Sequence, residues 1–187
     1  YNPNSVTVGN YYTSEEDIVA SLNGVYTSLT QSYVADNYHY FTDVRANATV
    51  VTNSGANSGI PYQFYNYTLT EENVYVYNRY SQLYKIISRA NTLFAHLGDV
   101  SYATPSARDT YEAEARFLRA LSYYWLVTEW GDVPLVLKVL ESTEEVRANN
   151  YRRPKAEIYQ AIFDDLKYVT ESPLLDVQPA SACGKVS

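Results

Sequence analysis

The chain has 187 residues, a net charge of −7, one cysteine, two histidines and 21 tyrosines. A single cysteine excludes a disulfide scaffold and a cysteine-based zinc site, and the acidic balance argues against a nucleic-acid-binding protein, whose surface is basic. Because 46% of the residues are hydrophobic, the chain is expected to fold rather than to remain disordered.

The first predicted element is a helix over residues 15–33. It is preceded by Thr13, and Thr13 with Glu16 forms a capping-box pattern, in which each side chain satisfies a backbone amide that the helix leaves free. Its apolar face is predicted from four residues at helical spacing: Ile18, Leu22, Val25 and Leu29.

The second predicted helix begins at Thr70 and ends at Gly98, a residue suited to the carboxyl end of a helix. Spacings of four and three residues alternate along it, which is typical of an amphipathic helix. The apolar stripe consists of Val76, Tyr80, Leu83, Ile87, Ala90, Phe94 and Leu97.

Two further helices are predicted downstream. The third covers about residues 107–130 and ends because Gly131 and Pro134 prevent its continuation. The segment 133–140 is predicted to be extended, and the fourth helix begins at Pro154. The stripe of the third helix is Tyr111, Ala115, Leu118, Leu121, Tyr124 and Trp125, and that of the fourth is Ile158, Ile162, Leu166 and Val169.

Between the first two helices lies a long excursion, residues 34–69, and the run 46–70 contains no charged residue. Long loops in compact domains are usually functional or disordered, and the aromatic content argues against disorder. A neutral polar ligand such as a sugar needs flat faces and hydrogen-bonding groups, which tyrosine, asparagine and arginine supply.

We therefore predict ligand contacts at Arg45, Tyr62, Phe64, Tyr65 and Asn66. Two other interpretations of the same composition stay open at this point. The aromatic residues would equally serve to pack the loop onto the helices, or to contact a partner protein, because tyrosine is enriched at protein interfaces.

No catalytic residue, metal site or cofactor is predicted. Cys183 has no local motif that pairs it with either histidine, and no phosphate-binding glycine loop, nucleophile elbow or zinc-protease motif occurs. Two pairs of carboxylates lie on predicted helices: Glu112 with Glu114 and Asp164 with Asp165. Neighbouring arginines and lysines favour solvated helix faces and ion pairs there over acid–base chemistry.

Residues 112–136 read EAEARFLRALSYYWLVTEWGDVPLV. This sequence resembles the signature of the SusD/RagB family, the surface glycan-binding lipoproteins of Bacteroidetes, in which E-A-x-F-L-R-A and an aromatic run precede G-D-V-P-L. Weaker similarities to the family occur in the same order at 22–26, 84–91, 153–166 and 184–187.

The resemblance implies an all-α fold of tetratricopeptide-like helix pairs, with a long loop excursion between the first two helices. It implies that residues 1–187 are the N-terminal domain of a longer protein, anchored by an N-terminal lipid in the outer membrane and exposed at the cell surface. Within the motif we expect a structural role, in which Arg116 and Arg119 pair with carboxylates of neighbouring helices.

The resemblance also implies a function. The expected activity is non-catalytic binding of starch or another oligosaccharide, followed by delivery to a TonB-dependent SusC-like transporter, with no nucleic-acid partner and no membrane contact except through the lipid anchor. A peptide-binding RagB-like protein, or a helical-repeat module that mainly binds its transporter, is the alternative. Ligand contacts vary between members of the family, so the five predicted residues depend on the chemistry of the loop alone.

Overall fold

The computed structural model describes residues 11–31, 33–174 and 184–186. Its helices are α1 (Glu15–Leu29), a π-helical turn (Tyr40–Val44), a 3₁₀ turn (Ala56–Gly59), α2 (Tyr62–Tyr65), α3 (Val74–His96), α4 (Ala107–Trp130), α5 (Thr143–Asn149) and α6 (Lys155–Glu171). Within the described ranges, strand-like pairing is limited to an isolated bridge between Val133 and Arg153. The predicted all-α fold with a long excursion is confirmed.

The chain divides into two compact units. One contains Tyr1–Tyr26 with Ile86–Ser187, and the other contains Thr27–Lys85. The excursion 34–69 lies wholly in the second unit, and the motif at 112–136 lies wholly in the first. The expectation that residues 1–187 form one N-terminal domain of a longer protein stays a prediction.

Helices α4 and α6 of the first unit pack against each other around a buried ion pair. Arg119 donates to both carboxylate oxygens of Asp165, at 2.8 and 2.7 Å, and Arg116 donates to the same carboxylate at 2.8 Å. Arg119 and Asp165 are both buried, where a charge is tolerated only when it is paired and hydrogen-bonded. The predicted pairing of the two motif arginines with a neighbouring helix is confirmed.

The predicted ion pairs are present at Glu112 and Asp165, and Asp164 is exposed as expected. The expected solvation is wrong for Glu112, Glu114 and Asp165, which are buried. Asp165 is enclosed by the arginines, and Glu112 is buried while it binds Arg116 at 2.6 Å. Glu114 is only 4% exposed and accepts a hydrogen bond from the Tyr26 hydroxyl at 2.7 Å. Glu112 and Glu114 of α4 and Asp165 of α6 therefore lie on buried faces, which the apolar stripes do not reveal.

A second correction concerns the tyrosines of α4. Tyr124, predicted to face the core, is 50% exposed, whereas Tyr123 is buried. The Tyr123 hydroxyl donates to the Val136 carbonyl at 2.9 Å and accepts from the Val136 amide at 2.7 Å. The Asn91 side chain also donates to Val136, at 2.9 Å. Side chains of two helices therefore hold the segment 133–140, and Val133 forms an antiparallel bridge with Arg153.

The beginning of α1 uses a capping box displaced by one residue from the predicted one. Ser14 and Asp17 form the reciprocal pair: the Asp17 amide donates to the Ser14 hydroxyl at 3.4 Å, and the Ser14 amide donates to the Asp17 carboxylate at 3.0 Å. The same carboxylate accepts from the Thr13 amide at 3.0 Å, and these bonds lower the pKa of Asp17. Helix α1 ends at Leu29, four residues before the predicted end at 33.

Candidate functional site

The uncharged excursion of the second unit folds around an aromatic cluster of Tyr40, Phe41, Phe64 and Tyr75. The Phe64 ring is 1% exposed, and its centroid lies 4.9 Å from that of Phe41 and 5.8 Å from that of Tyr40. Burial is the main cause of the raised pKa of the Tyr40 hydroxyl, with a smaller effect of Tyr75. Phe64, predicted as a ligand contact, is enclosed in this cluster and fixes α2 against the π-helical turn.

A buried asparagine joins the excursion to the start of α3. The Asn73 amide group donates to the Ile60 carbonyl at 3.1 Å and to the Gln63 side chain at 2.9 Å. Its carbonyl oxygen accepts from the Tyr75 amide at 3.0 Å, which caps the helix. Because Asn73 takes this role, α3 begins at Val74 rather than at the predicted Thr70.

The other predicted ligand residues lie at the surface of the excursion. Arg45 and Asn66 are exposed, and Tyr62 and Tyr65 are half-buried with ring centroids 5.5 Å apart. The Tyr67 hydroxyl donates to the Arg45 carbonyl at 3.0 Å, which brings Arg45 beside the 66–67 turn. Among the described residues, no hydrogen bond joins the Arg45 side chain to Tyr62 or Tyr65.

A pocket of about 290 Å³ opens in the same unit, and its lining residues lie on both sides of Arg45 in the sequence. Its volume is at the lower end of the range for small-molecule sites, about 300 Å³. Its lining mixes apolar and hydroxyl side chains: His39, Tyr40, Val44, Thr49, Val50, Val51, Thr52 and Asn53. None of these residues is among the five predicted contacts. The sequence Thr49-Val50-Val51-Thr52, with two valines between threonines in an uncharged run, is the local pattern that indicates a lining of apolar and hydroxyl groups.

Over the described ranges, no group of three or more histidine, cysteine or acidic side chains could hold a metal ion. His96 binds Asp99 at 2.8 Å and stacks on Tyr12 with a centroid distance of 4.0 Å. Cys183 lies outside the described residues. Nor does any helix in the described part have the length and apolar character to cross a bilayer.

Comparison with known proteins identifies relatives of this chain. Residues 5–175 match the family model SusD-like_3, described as "Starch-binding associating with outer membrane". SusD-like protein P2 of Formosa agariphila is 28% identical over 162 residues, which cover 86% of this chain and 32% of that protein. SusD-like protein P25 of the same organism is 26% identical over 186 residues, 95% of this chain and 34% of that protein. The chain thus spans about a third of the length of these curated relatives.

Solved structures share the fold. A laminarin-binding SusD-like protein superimposes with a TM-score of 0.79 at 27% identity, over 94% of this chain and 38% of that one. Surface glycan-binding protein A from Bacteroides thetaiotaomicron has a TM-score of 0.75 at 20% identity, over 95% and 36% of the two chains, and shows the fold alone. The match of the family model to residues 5–175, more than half of the chain, shows that the chain belongs to the SusD-like family.

Proposed function

We propose that the protein binds a glycan without chemical conversion at the bacterial cell surface and delivers it to a TonB-dependent SusC-like outer-membrane transporter. The observation that carries this proposal is the match of residues 5–175 to a family described as starch-binding and associated with the outer membrane. The similarity to a laminarin-binding protein supports a glucan or a related neutral oligosaccharide as the ligand.

The proposed contact surface consists of the exposed Arg45 and Asn66 and the half-buried Tyr62 and Tyr65. A tyrosine face covers the C–H face of a sugar ring, and amide and guanidinium groups donate to its hydroxyls. The Arg45 guanidinium has no hydrogen-bond or ion-pair partner among the described residues, so its donors are available to a ligand. Phe64 supports this surface from beneath through its contacts with Tyr40 and Phe41.

Affinity gel electrophoresis with laminarin, starch and a set of other neutral polysaccharides tests glycan binding directly. We expect retardation in at least one glycan gel, and weaker retardation for Arg45→Ala and for Tyr62→Ala. Tyr151→Ala provides a matched control, because this exposed tyrosine lies in the first unit. Binding to peptides with no retardation by any glycan would instead support the peptide-binding alternative.

The proposed location and partner require a separate test. A lipid anchor at the N-terminus of the whole protein would hold it on the outer face of the outer membrane, beside the transporter. We expect the protein to co-purify with a SusC-like transporter from detergent-solubilised outer membranes. Its recovery without the transporter would contradict the delivery step and leave glycan binding unaffected.

A further inference from the structure

Tyr67 combines exposure with constraint in a way that no other described tyrosine does. Its side chain is 67% exposed, yet its backbone φ is 59°, in the left-handed region that bulky residues rarely adopt. Its hydroxyl donates to the Arg45 carbonyl at 3.0 Å. An exposed side chain gains little from burial, so packing does not account for a conformation that costs free energy.

The hydrogen bond from the Tyr67 hydroxyl to the Arg45 carbonyl determines which part of Tyr67 is available to a ligand. Since the hydroxyl hydrogen is directed to Arg45, the flat face of the ring remains as the main contact surface. The hydroxyl bond holds the ring against the Arg45 backbone, and the exposed Asn66 is its neighbour in the sequence. Asn66 is itself ordered, because its carbonyl oxygen accepts from the Thr68 amide and hydroxyl at 3.3 and 2.6 Å.

The uncharged run that contains Tyr67 has further residues with strained backbone conformations. In the described part of the chain, the residues other than glycine with positive φ are Asn47, Ser58 and Tyr67, and all three lie in the uncharged run 46–70. Strained residues persist where the surrounding structure fixes them, and they concentrate at ligand sites. Asparagine tolerates this conformation well, whereas tyrosine does not, so the requirement for an aromatic ring is strongest at position 67.

We propose that Tyr67 is the stacking surface for one ring of a neutral oligosaccharide, preorganised by its backbone conformation and by the bond to Arg45. This inference rests on the proposed glycan-binding function and adds a residue absent from the five predicted contacts. A neutral sugar fits this surface better than an anionic one, because the run 46–70 has no charge and the flanking charged residues are mostly acidic: Asp36, Asp43, Arg45, Glu71 and Glu72. A ring fixed before binding loses little conformational freedom when the sugar stacks on it.

Two substitutions distinguish the contribution of the Tyr67 ring to binding from that of the hydrogen bond that positions it. Tyr67→Asn removes the ring but keeps a residue that adopts φ 59° readily, so the thermal unfolding midpoint should stay the same or rise. Tyr67→Phe keeps the ring and removes the bond to Arg45. Tyr77→Ala is the matched control, because Tyr77 is also 67% exposed and lies in the same unit, on α3.

Titration calorimetry of the purified protein with laminarin, or with the neutral glycan that retards it most in gels, provides the test. We expect Tyr67→Asn to weaken binding by about tenfold or more, Tyr67→Phe by about threefold, and Tyr77→Ala by less than about twofold. Wild-type affinity in folded Tyr67→Asn would overturn the role of Tyr67 while glycan binding stands. Failure of the wild-type protein to bind any neutral glycan would overturn the proposed function and this inference together. If Tyr67→Asn does not fold, Tyr67→Gly takes its place, since glycine adopts positive φ without strain.

Discussion

At the scale of single residues, Arg119 and Asp165 form a buried ion pair with two hydrogen bonds in the first unit. Removing one partner leaves a charge that is no longer fully compensated in a buried site. We therefore expect Arg119→Ala to lower the free energy of unfolding by about 3 kcal/mol, since Arg116 still binds the carboxylate at 2.8 Å. Urea denaturation measures this loss.

A matched control for this prediction is Lys167→Ala on α6. Its side chain is largely exposed, and its distance to Glu171 is 4.0 Å, so the expected change in stability is below about 1 kcal/mol. An equally small change for Arg119→Ala would show that the buried pair contributes little to stability.

The raised pKa of Glu114 predicts that the free energy of unfolding depends on pH in a specific way. Burial raises its pKa above the ordinary value of 4.5, and the Tyr26 hydroxyl and Lys185 offset this only in part. The folded state therefore binds the Glu114 proton more tightly than the unfolded state. The resulting stabilisation is complete below the unfolded pKa and is lost as pH rises through the folded pKa.

Glu114→Gln removes this titration and keeps an oxygen that accepts from Tyr26. Between about pH 4 and pH 7, we expect the stability of the variant relative to the wild type to increase as pH rises. Urea unfolding of both proteins across this range measures the difference, with Glu144→Gln at an exposed position of α5 as control. A difference that stays constant or falls with pH would contradict the account of Glu114.

At the scale of elements, the cap of α3 links the helix to the candidate site. Asn73→Ala removes the cap and leaves the Ile60 carbonyl and the Gln63 side chain without a buried donor. We expect a loss of about 2–3 kcal/mol in stability. Asn73→Asp keeps a capping oxygen but loses the two donated hydrogen bonds, so its loss of stability should be smaller than that of Asn73→Ala. Wild-type stability in Asn73→Asp would show that the hydrogen bonds to Ile60 and Gln63 do not stabilise the protein.

Helix ends were predictable where the signal is local. The bounds of α4 agree with the predicted 107–130 because Gly131 adopts φ 74° and Pro134 follows. Helix α5 was missed because it buries no residue and has no apolar stripe, although its cap is visible as Ser142 with Glu145. Apolar periodicity detects helices that pack, and a short exposed helix depends on its cap alone.

The candidate site was predictable only as a region. Composition identified the uncharged, aromatic excursion, but whether a ring faces the interior depends on contacts between segments distant in sequence. Phe64 is enclosed through Phe41, 23 positions earlier, and Tyr67 is ordered through Arg45, 22 positions earlier. No local pattern reports such contacts, so the sequence alone does not distinguish the buried Phe64 from the exposed Tyr67.

At the scale of the whole molecule, the salt dependence of binding distinguishes a neutral ligand from an anionic one. The protein carries a net charge of −7, and the proposed site contains one cation, Arg45, which directly precedes the uncharged run 46–70. Binding of a neutral glycan should therefore change by less than about twofold between about 50 and 500 mM salt, because no charged pair is screened. Titration at both salt concentrations measures this, and a steep loss of affinity at high salt would indicate an anionic ligand.

We propose that the excursion of the second unit is the glycan-binding surface, and hydrogen–deuterium exchange with and without laminarin, or with the neutral glycan that binds most tightly, measures where the ligand lies. We expect slower exchange of backbone amides in residues 39–53 and 61–68 on ligand addition, with α6 unchanged. Binding accompanied by protection in α6 alone, with exchange in 39–53 and 61–68 unaltered, would contradict it.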